Sequence, residues 1–189
     1  DKASAILRDN FNQDFVSIIC DDEQMVNGMK NYLEVIAPER KNIVQFYDSH
    51  IPLLEYYNVE KQLKQSFGKH VNIPSSKGAY LVIEHTEALH VVDVNSGNNI
   101  SAGSQANKAH ALNVNKMAAT EIARQLRLRD MGGIIVVDFI DMMDAEHRRE
   151  LYEHLKEEMK RDNARHKILP PSKFGLIQIT RQRVRPEKV

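Results

Sequence analysis

Short aliphatic runs alternate along this chain with longer stretches whose apolar residues recur at helical spacing. That pattern predicts a mixed α/β protein. Phe15-Val16-Ser17-Ile18-Ile19-Cys20 reads as a strand. Asp21-Asp22 then caps a helix over about 23–36, which Pro38 stops. Asn42–Tyr47 is a second short strand, so a small β-α-β unit follows a helix end at 3–10. Val59, Leu63 and Phe67, at i, i+4 and i+8, predict a helix over 59–67. The turn-rich Pro74-Ser75-Ser76-Lys77-Gly78 comes next, and a boundary between two subdomains, 1–70 and 71–189, is placed near 68–72.

The second part is more regular. Ala79–Glu84 and Ala88–Val94 are strands joined by His85-Thr86-Glu87, which predicts a hairpin. Ser96–Ser104 has two glycines and reads as a flexible loop. A long helix over about Gln105–Arg129 carries the stripe Leu112, Ala119, Ile122, Ala123 and Leu126, and Gly132-Gly133 ends it. Strand 134–138, loop Phe139–Met143 and a helix over 144–161 with Leu151, Leu155 and Met159 facing inward follow. Lys173-Phe174-Gly175 leads into a last strand, Leu176–Thr180. The expected architecture is α/β in the mixed α+β sense: a small β-α-β portion, then a mixed sheet flanked by helices.

Composition narrows the function classes. The chain has 189 residues, a formal net charge of zero and one cysteine, Cys20. No apolar run approaches transmembrane length, and the charged start Asp1-Lys2-Ala3-Ser4 lacks the apolar core of a signal peptide. With no initiator Met, the sequence is expected to be a piece of something longer. A lone cysteine fits a reducing cytoplasm and excludes a cysteine-built zinc site within these residues. Charge is unevenly spread: residues 1–60 hold eleven acids against five bases, and 160–189 hold nine Lys/Arg against two acids. The basic end points weakly to a polyanion, against a default of solvated surface.

Two strands run onto a single aspartate: Leu89-His90-Val91-Val92-Asp93 and Gly133-Ile134-Ile135-Val136-Val137-Asp138. Asp is depleted inside strands because it competes with the backbone for hydrogen bonds. In open α/β sheets, sites form beyond the carboxyl ends of strands. If the two strands are neighbours, Asp93 and Asp138 can offer hard oxygen ligands to one Mg²⁺, which binds through one or two carboxylates and leaves the rest of its shell to water and phosphate. Asn95 shares the strand face of Asp93. The competing reading is that each Asp caps a loop or helix, and for Asp141 and Asp144, just before the helix over 144–161, capping is favoured. Ile134–Asp138 has the look of an ATPase strand, but no G-x-x-x-x-G-K-[ST] loop accompanies it. No H-E-x-x-H occurs, and His147 and His154 suit the polar flank of their helix. Lys116, Arg124, Arg127 and Arg129 on the long helix, and the alternating Arg181, Arg183 and Arg185, are candidates for phosphate contacts. Tyr56-Tyr57 could stack on bases.

Longer motifs go further. Thr86-Glu87-Ala88-Leu89, Asp93-Val94-Asn95-Ser96, Glu121–Gly133, Ile135–Met142, Phe174-Gly175-Leu176 and Thr180-Arg181-Gln182-Arg183 closely resemble the ribonuclease E/G family. The match covers roughly 74–186; residues 1–70, including Ile51-Pro52-Leu53 and Glu60, resemble the family's preceding segment more loosely. The resemblance implies a DNase-I-like catalytic subdomain over 71–189 and part of an RNase-H-like subdomain over 1–70. It implies Mg²⁺-dependent hydrolysis of single-stranded, A/U-rich RNA to 5′-phosphate and 3′-hydroxyl ends, in RNA processing and decay. Asp93 and Asp138 would hold the metal, and Asn95 would support them. Lys116, Arg124, Arg127, Arg181 and Arg183 are the RNA-binding candidates. A homo-oligomer in the full-length protein, no DNA substrate and no membrane contact go with the same reading. The family's S1 domain and 5′-phosphate pocket normally lie upstream and its zinc-sharing cysteine pair downstream, so a piece of this extent is expected to fold yet hold RNA poorly. The alternatives are a non-catalytic RNA-binding or assembly module, and a small-substrate phosphohydrolase, which the basic C-terminal stretch disfavours.

Overall fold

The computed structural model describes residues 2–97 and 105–184. Most of the expected loop after Asn95, and Arg185, lie outside the described residues. The chain forms two compact units, 1–62 and 63–189.

The first unit begins with α1 (Lys2–Asn10) and places α2 (Glu23–Ile36) between two parallel strands, β1 (Ile18–Cys20) and β2 (Val44–Phe46). The Asp22 carboxylate accepts from the Met25 amide at 2.8 Å, an N-cap that fixes where α2 starts. Val26, Met29 and Leu33 then fall on one face and form a small core with Leu7 and Val44. A 3₁₀ turn (Pro38–Ile43) leads into β2, and a one-turn helix, α3 (Leu53–Tyr56), precedes α4 (Val59–Ser66). Both β1 and β2 are shorter than the aliphatic runs that predict them.

The second unit is a six-stranded sheet in the order β3-β4-β5-β6-β8-β7, where β3 is His70–Asn72, β4 Tyr80–His85, β5 His90–Asn95, β6 Gly133–Asp138, β7 His166–Ile168 and β8 Ile177–Arg181. β4 and β5 form the expected hairpin; the Thr86 amide and hydroxyl both donate to the Leu89 carbonyl and close its turn. β5 and β6 are parallel neighbours, which requires a crossover, and α5 (Gln105–Leu128) supplies it. The remaining pairings are antiparallel.

Alternation divides the sheet into two faces. Leu81, Ile83, Val92, Val94, Ile135, Val137, Ile177 and Ile179 are buried on one of them. They form a single core with Ile122 and Leu126 of α5 and with Leu151, Leu155 and Met159 of α6 (Ala145–Met159). Both long helices therefore cover the same face. Residues of the other set, such as Val91, Asp93, Val136 and Asp138, are half-buried or exposed.

α5 does not end on the glycine pair. Asp130 takes the left-handed conformation (φ 53°), the Met131 amide donates to the Leu126 carbonyl at 3.0 Å and the Asp130 amide to Arg127 at 3.4 Å, a Schellman closure. Gly132 answers a packing demand instead: a Cβ there would stand 2.5 Å from Arg183 Cγ and 3.0 Å from its Cα.

Within the second unit, the end of α4 is tied to the end of α5. Arg129 donates to the Ser66 carbonyl at 2.8 Å and the Gly68 carbonyl at 2.7 Å, and its guanidinium lies 6.0 Å from the Phe67 ring centroid. A polar ladder along α5 backs this contact: Arg129 donates to Gln125 (2.7 Å), and Gln125 and Arg124 donate to the buried Glu121 (2.8 and 2.7 Å).

Candidate metal and catalytic site

Asp93 and Asp138 occupy the same level of the parallel β5–β6 ladder as register partners. Adjacent strands lie about 4.8 Å apart, and the shared parity aims both side chains to the face opposite the helices. The sequence reading required the two strands to be neighbours, and they are. Asn95, two residues further along β5, donates from Nδ2 to Asp93 Oδ2 at 2.7 Å.

Among the described residues neither aspartate makes an ion pair. Partial burial raises the pKa of Asp138 above the usual carboxylate range, and the negative charges of Asp93 and Asp141 push it the same way. Like-charged oxygens are thus collected with no ion-paired cation among the described residues. Two hard carboxylates suit Mg²⁺, which keeps several waters and leaves room for substrate phosphate. No group of three or more His, Cys, Asp or Glu side chains able to hold a metal occurs among the described residues.

The loop after Asp138 is firmly held. Asn115, fully buried on α5, donates to the Ile140 carbonyl at 2.8 Å and accepts from the Ile140 amide at 3.0 Å. Arg148 of α6 donates to the carbonyls of Met142 (2.5 Å) and Met143 (3.0 Å). Asp144 is the N-cap of α6, accepting from the Glu146 amide at 2.8 Å. Asp141 takes no part in that cap, contrary to the capping expected of it: its Oδ1 lies 3.8 Å from where a Cβ on Gly175 would be. Asn115 is a positioning residue that the sequence reading missed. Its one signal is an amide at the helical spacing of the apolar stripe, between Leu112 and Ala119.

The basic candidates do not gather around the aspartates. Lys116 pairs with Glu150, Arg124 is held bidentately by Glu121, and Arg127 reaches the Glu158 carbonyl at 3.4 Å. All three stand on α5, across the sheet from the carboxylates. Arg183 is exposed and packs over Gly132. Arg181 needs correction as a phosphate contact. Its side chain is buried in a two-pronged pair with Asp162 (2.6 and 2.9 Å) and donates to the Met131 carbonyl at 2.9 Å. Inward parity on β8 put it there, and the guanidinium found its partner inside.

Comparison with known proteins supplies an independent line. The model of the "Ribonuclease E/G family" matches residues 1–184. The chain is 41% identical over 182 residues to a "Ribonuclease E/G-like protein, chloroplastic" of Arabidopsis thaliana, covering 96% of this chain and 18% of that protein. It is 38% identical to "Ribonuclease E" of Escherichia coli over 95% of this chain and 17% of the relative. It is 33% identical to "Ribonuclease G" of Salmonella typhimurium over 97% and 37%. The chain thus spans less than a fifth of the first two relatives and over a third of the last. With 1–184 matched continuously, including both aspartate strands, this chain belongs to the ribonuclease E/G family.

Proposed function

We propose that this chain carries the metal-binding catalytic centre of an endoribonuclease that hydrolyses single-stranded, A/U-rich RNA to 5′-phosphate and 3′-hydroxyl ends with Mg²⁺. A cytoplasmic role in RNA processing and decay, and assembly of the longer protein as a homo-oligomer, belong to the same reading. The observation that carries it is the register pairing of Asp93 with Asp138, with Asn95 bound to Asp93. Relatives named as ribonucleases over nearly the whole chain give that geometry its chemical direction.

Asp93 and Asp138 would hold the ion. When bound, Mg²⁺ supplies charge neutralisation at the scissile phosphate and makes a water more acidic. The protein's own part is placement. Asn95 fixes the rotation of the Asp93 carboxylate, engaging one oxygen and leaving the other uncommitted among the described residues. The β5–β6 ladder fixes the spacing of the two carboxylates, and Asn115 pins the backbone two residues beyond Asp138. Asp141 adds negative charge that further favours a cation.

Replacing Asp138 by Asn should lower Mg²⁺-dependent cleavage of single-stranded RNA by about 10²–10³-fold, the scale of losing one transition-state electrostatic contact. Undiminished cleavage would sink the assignment. No saturable Mg²⁺ binding and no cleavage by the parent chain, with RNA binding retained, would favour a non-catalytic assembly module instead.

A further inference from the structure

One feature beside the aspartates has no part in metal binding. Phe174 is 86% exposed. An exposed ring on a wandering loop would mean little, but this loop is built. The Ser172 amide donates to the Leu176 carbonyl at 2.9 Å, and the Gly175 amide to the Ser172 carbonyl at 3.0 Å. The Ser172 hydroxyl accepts from the amides of both Phe174 and Leu176 at 3.2 Å. Gly175 has φ +84°, a conformation that strains a residue with a side chain. Four hydrogen bonds and a required glycine therefore present an apolar ring to water.

The ring faces chemistry. Phe174 lines a cavity of about 580 Å³ with Asp141, Met142, Arg148, Lys173 and Gly175, within the size range of small-ligand pockets. Its lining includes the loop that leaves Asp138. The Asp141 carboxylate, three residues beyond Asp138, lies 3.8 Å from where a Cβ on Gly175 would stand, so the 172–176 loop borders the segment that leaves Asp138. Lys173, exposed, makes no ion pair among the described residues. A phenyl face, a free ammonium and a cavity next to a phosphodiester site match a nucleotide: base on ring, phosphate on lysine.

We propose that Phe174 is a stacking platform for one unpaired base of the RNA beside the scissile phosphate, with Lys173 contacting a flanking phosphate. The inference rests on the nuclease reading of Asp93 and Asp138. It supplies a local reason for single-strand selectivity, because a base within a duplex keeps its faces against its neighbours and cannot take the ring.

The chain has no tryptophan, so Phe174→Trp places a lone reporter at the platform. Titrating that protein, in an Asp138→Asn background that spares the RNA, with a single-stranded A/U oligonucleotide should quench the fluorescence. An oligonucleotide with an abasic site at the nucleotide next to the cleavage position should not quench it. Phe174→Ala should weaken binding roughly 5- to 100-fold, the cost of losing one base–aromatic contact. It should leave the affinity for the abasic oligonucleotide unchanged, and the melting temperature too, since the ring is exposed. Equal binding by Phe174→Ala and parent, equal quenching by the abasic strand, or an equal loss on duplex RNA overturns the platform. Concentration-dependent self-association in sedimentation that Phe174→Ala abolishes, with RNA affinity intact, would make the ring a protein contact and also overturn it. Persistent cleavage by Asp138→Asn is a separate failure, of the nuclease reading. If Asp138→Asn abolishes cleavage while Phe174→Ala binds like the parent, only the platform fails.

Discussion

Asp162 and Asp138 stand in the same unit and meet opposite electrostatic conditions. Asp162 is buried. Burial alone would raise its pKa, but the hydrogen bonds from Arg181 and the Ala164 amide, with the charges of Arg181 and His166, outweigh that and hold it below the usual carboxylate range. Asp138 is exposed at its strand end, and partial burial, Asp93 and Asp141 all work against its charge. The protein neutralises the carboxylate it uses for structure, whereas among the described residues Asp138 has no ion-pair partner. The counter-charge separates a structural acid from one available to a ligand.

The largest test of that contrast is Arg181→Met. It strands a buried carboxylate and should cost about 3–5 kcal/mol of stability, read by denaturant unfolding. Changing Asp162 to Leu in the same chain should recover most of that loss, since a buried pair replaced by apolar side chains is often neutral. If Arg181→Met leaves stability intact but weakens RNA binding, the pair is not structural and the distinction collapses.

Asn115→Leu comes next. It leaves the amide and carbonyl of Ile140 unpaired beneath the loop that follows Asp138, at about 2–3 kcal/mol. Because it loosens the loop without touching the carboxylates, kcat should fall more than KM rises. A drop in stability with no change in kcat would make the clamp purely structural.

Asn95→Ala should weaken Mg²⁺ binding about tenfold, the lower end for removing an outer hydrogen bond to a metal ligand. Calorimetric titration measures it, and unchanged affinity would mean that the Asn95–Asp93 bond has no bearing on the ion.

How far the sequence discloses these sites follows from what sets each one. The β4–β5 hairpin, α5, β6 and α6 are legible because each has an uninterrupted apolar period bounded by turn or cap residues. β3 and β7 are not. Each has three residues and a single apolar one, Val71 or Ile168, too few to show a period, and each is an edge strand paired to one neighbour. Asp93 and Asp138 are legible as strand-end acids. Their pairing at one ladder level is a property of register, which depends on how α5 crosses over. Arg181 shows the converse. Its alternation with Arg183 suggests a basic edge, but its partner Asp162 lies nineteen residues away, and no local pattern announces an internal salt bridge.

The smallest effect probes Asp138 itself. Its folded pKa is raised, so the protonated form favours folding. The associated stability is present below the unfolded carboxyl value of about 3.9 and is lost as pH rises through the folded value. At neutral pH the ionised group therefore carries a small penalty, reduced by solvent screening because the side chain is exposed. Asp138→Asn removes it. In chelator-containing buffer the variant should melt slightly above the parent at neutral pH, and the difference should vanish in acid. Asp162→Asn should do the reverse: a depressed carboxylate contributes stability above its unfolded pKa that is lost as pH falls through the folded one. Adding Mg²⁺ then divides the two sites. A ligand that binds only the folded state raises its stability by mass action, so the parent should overtake Asp138→Asn, while Mg²⁺ should stabilise Asp162→Asn as it does the parent. If Mg²⁺ raises the melting temperature of parent and Asp138→Asn equally, the uncompensated charge at Asp138 is not what the ion answers.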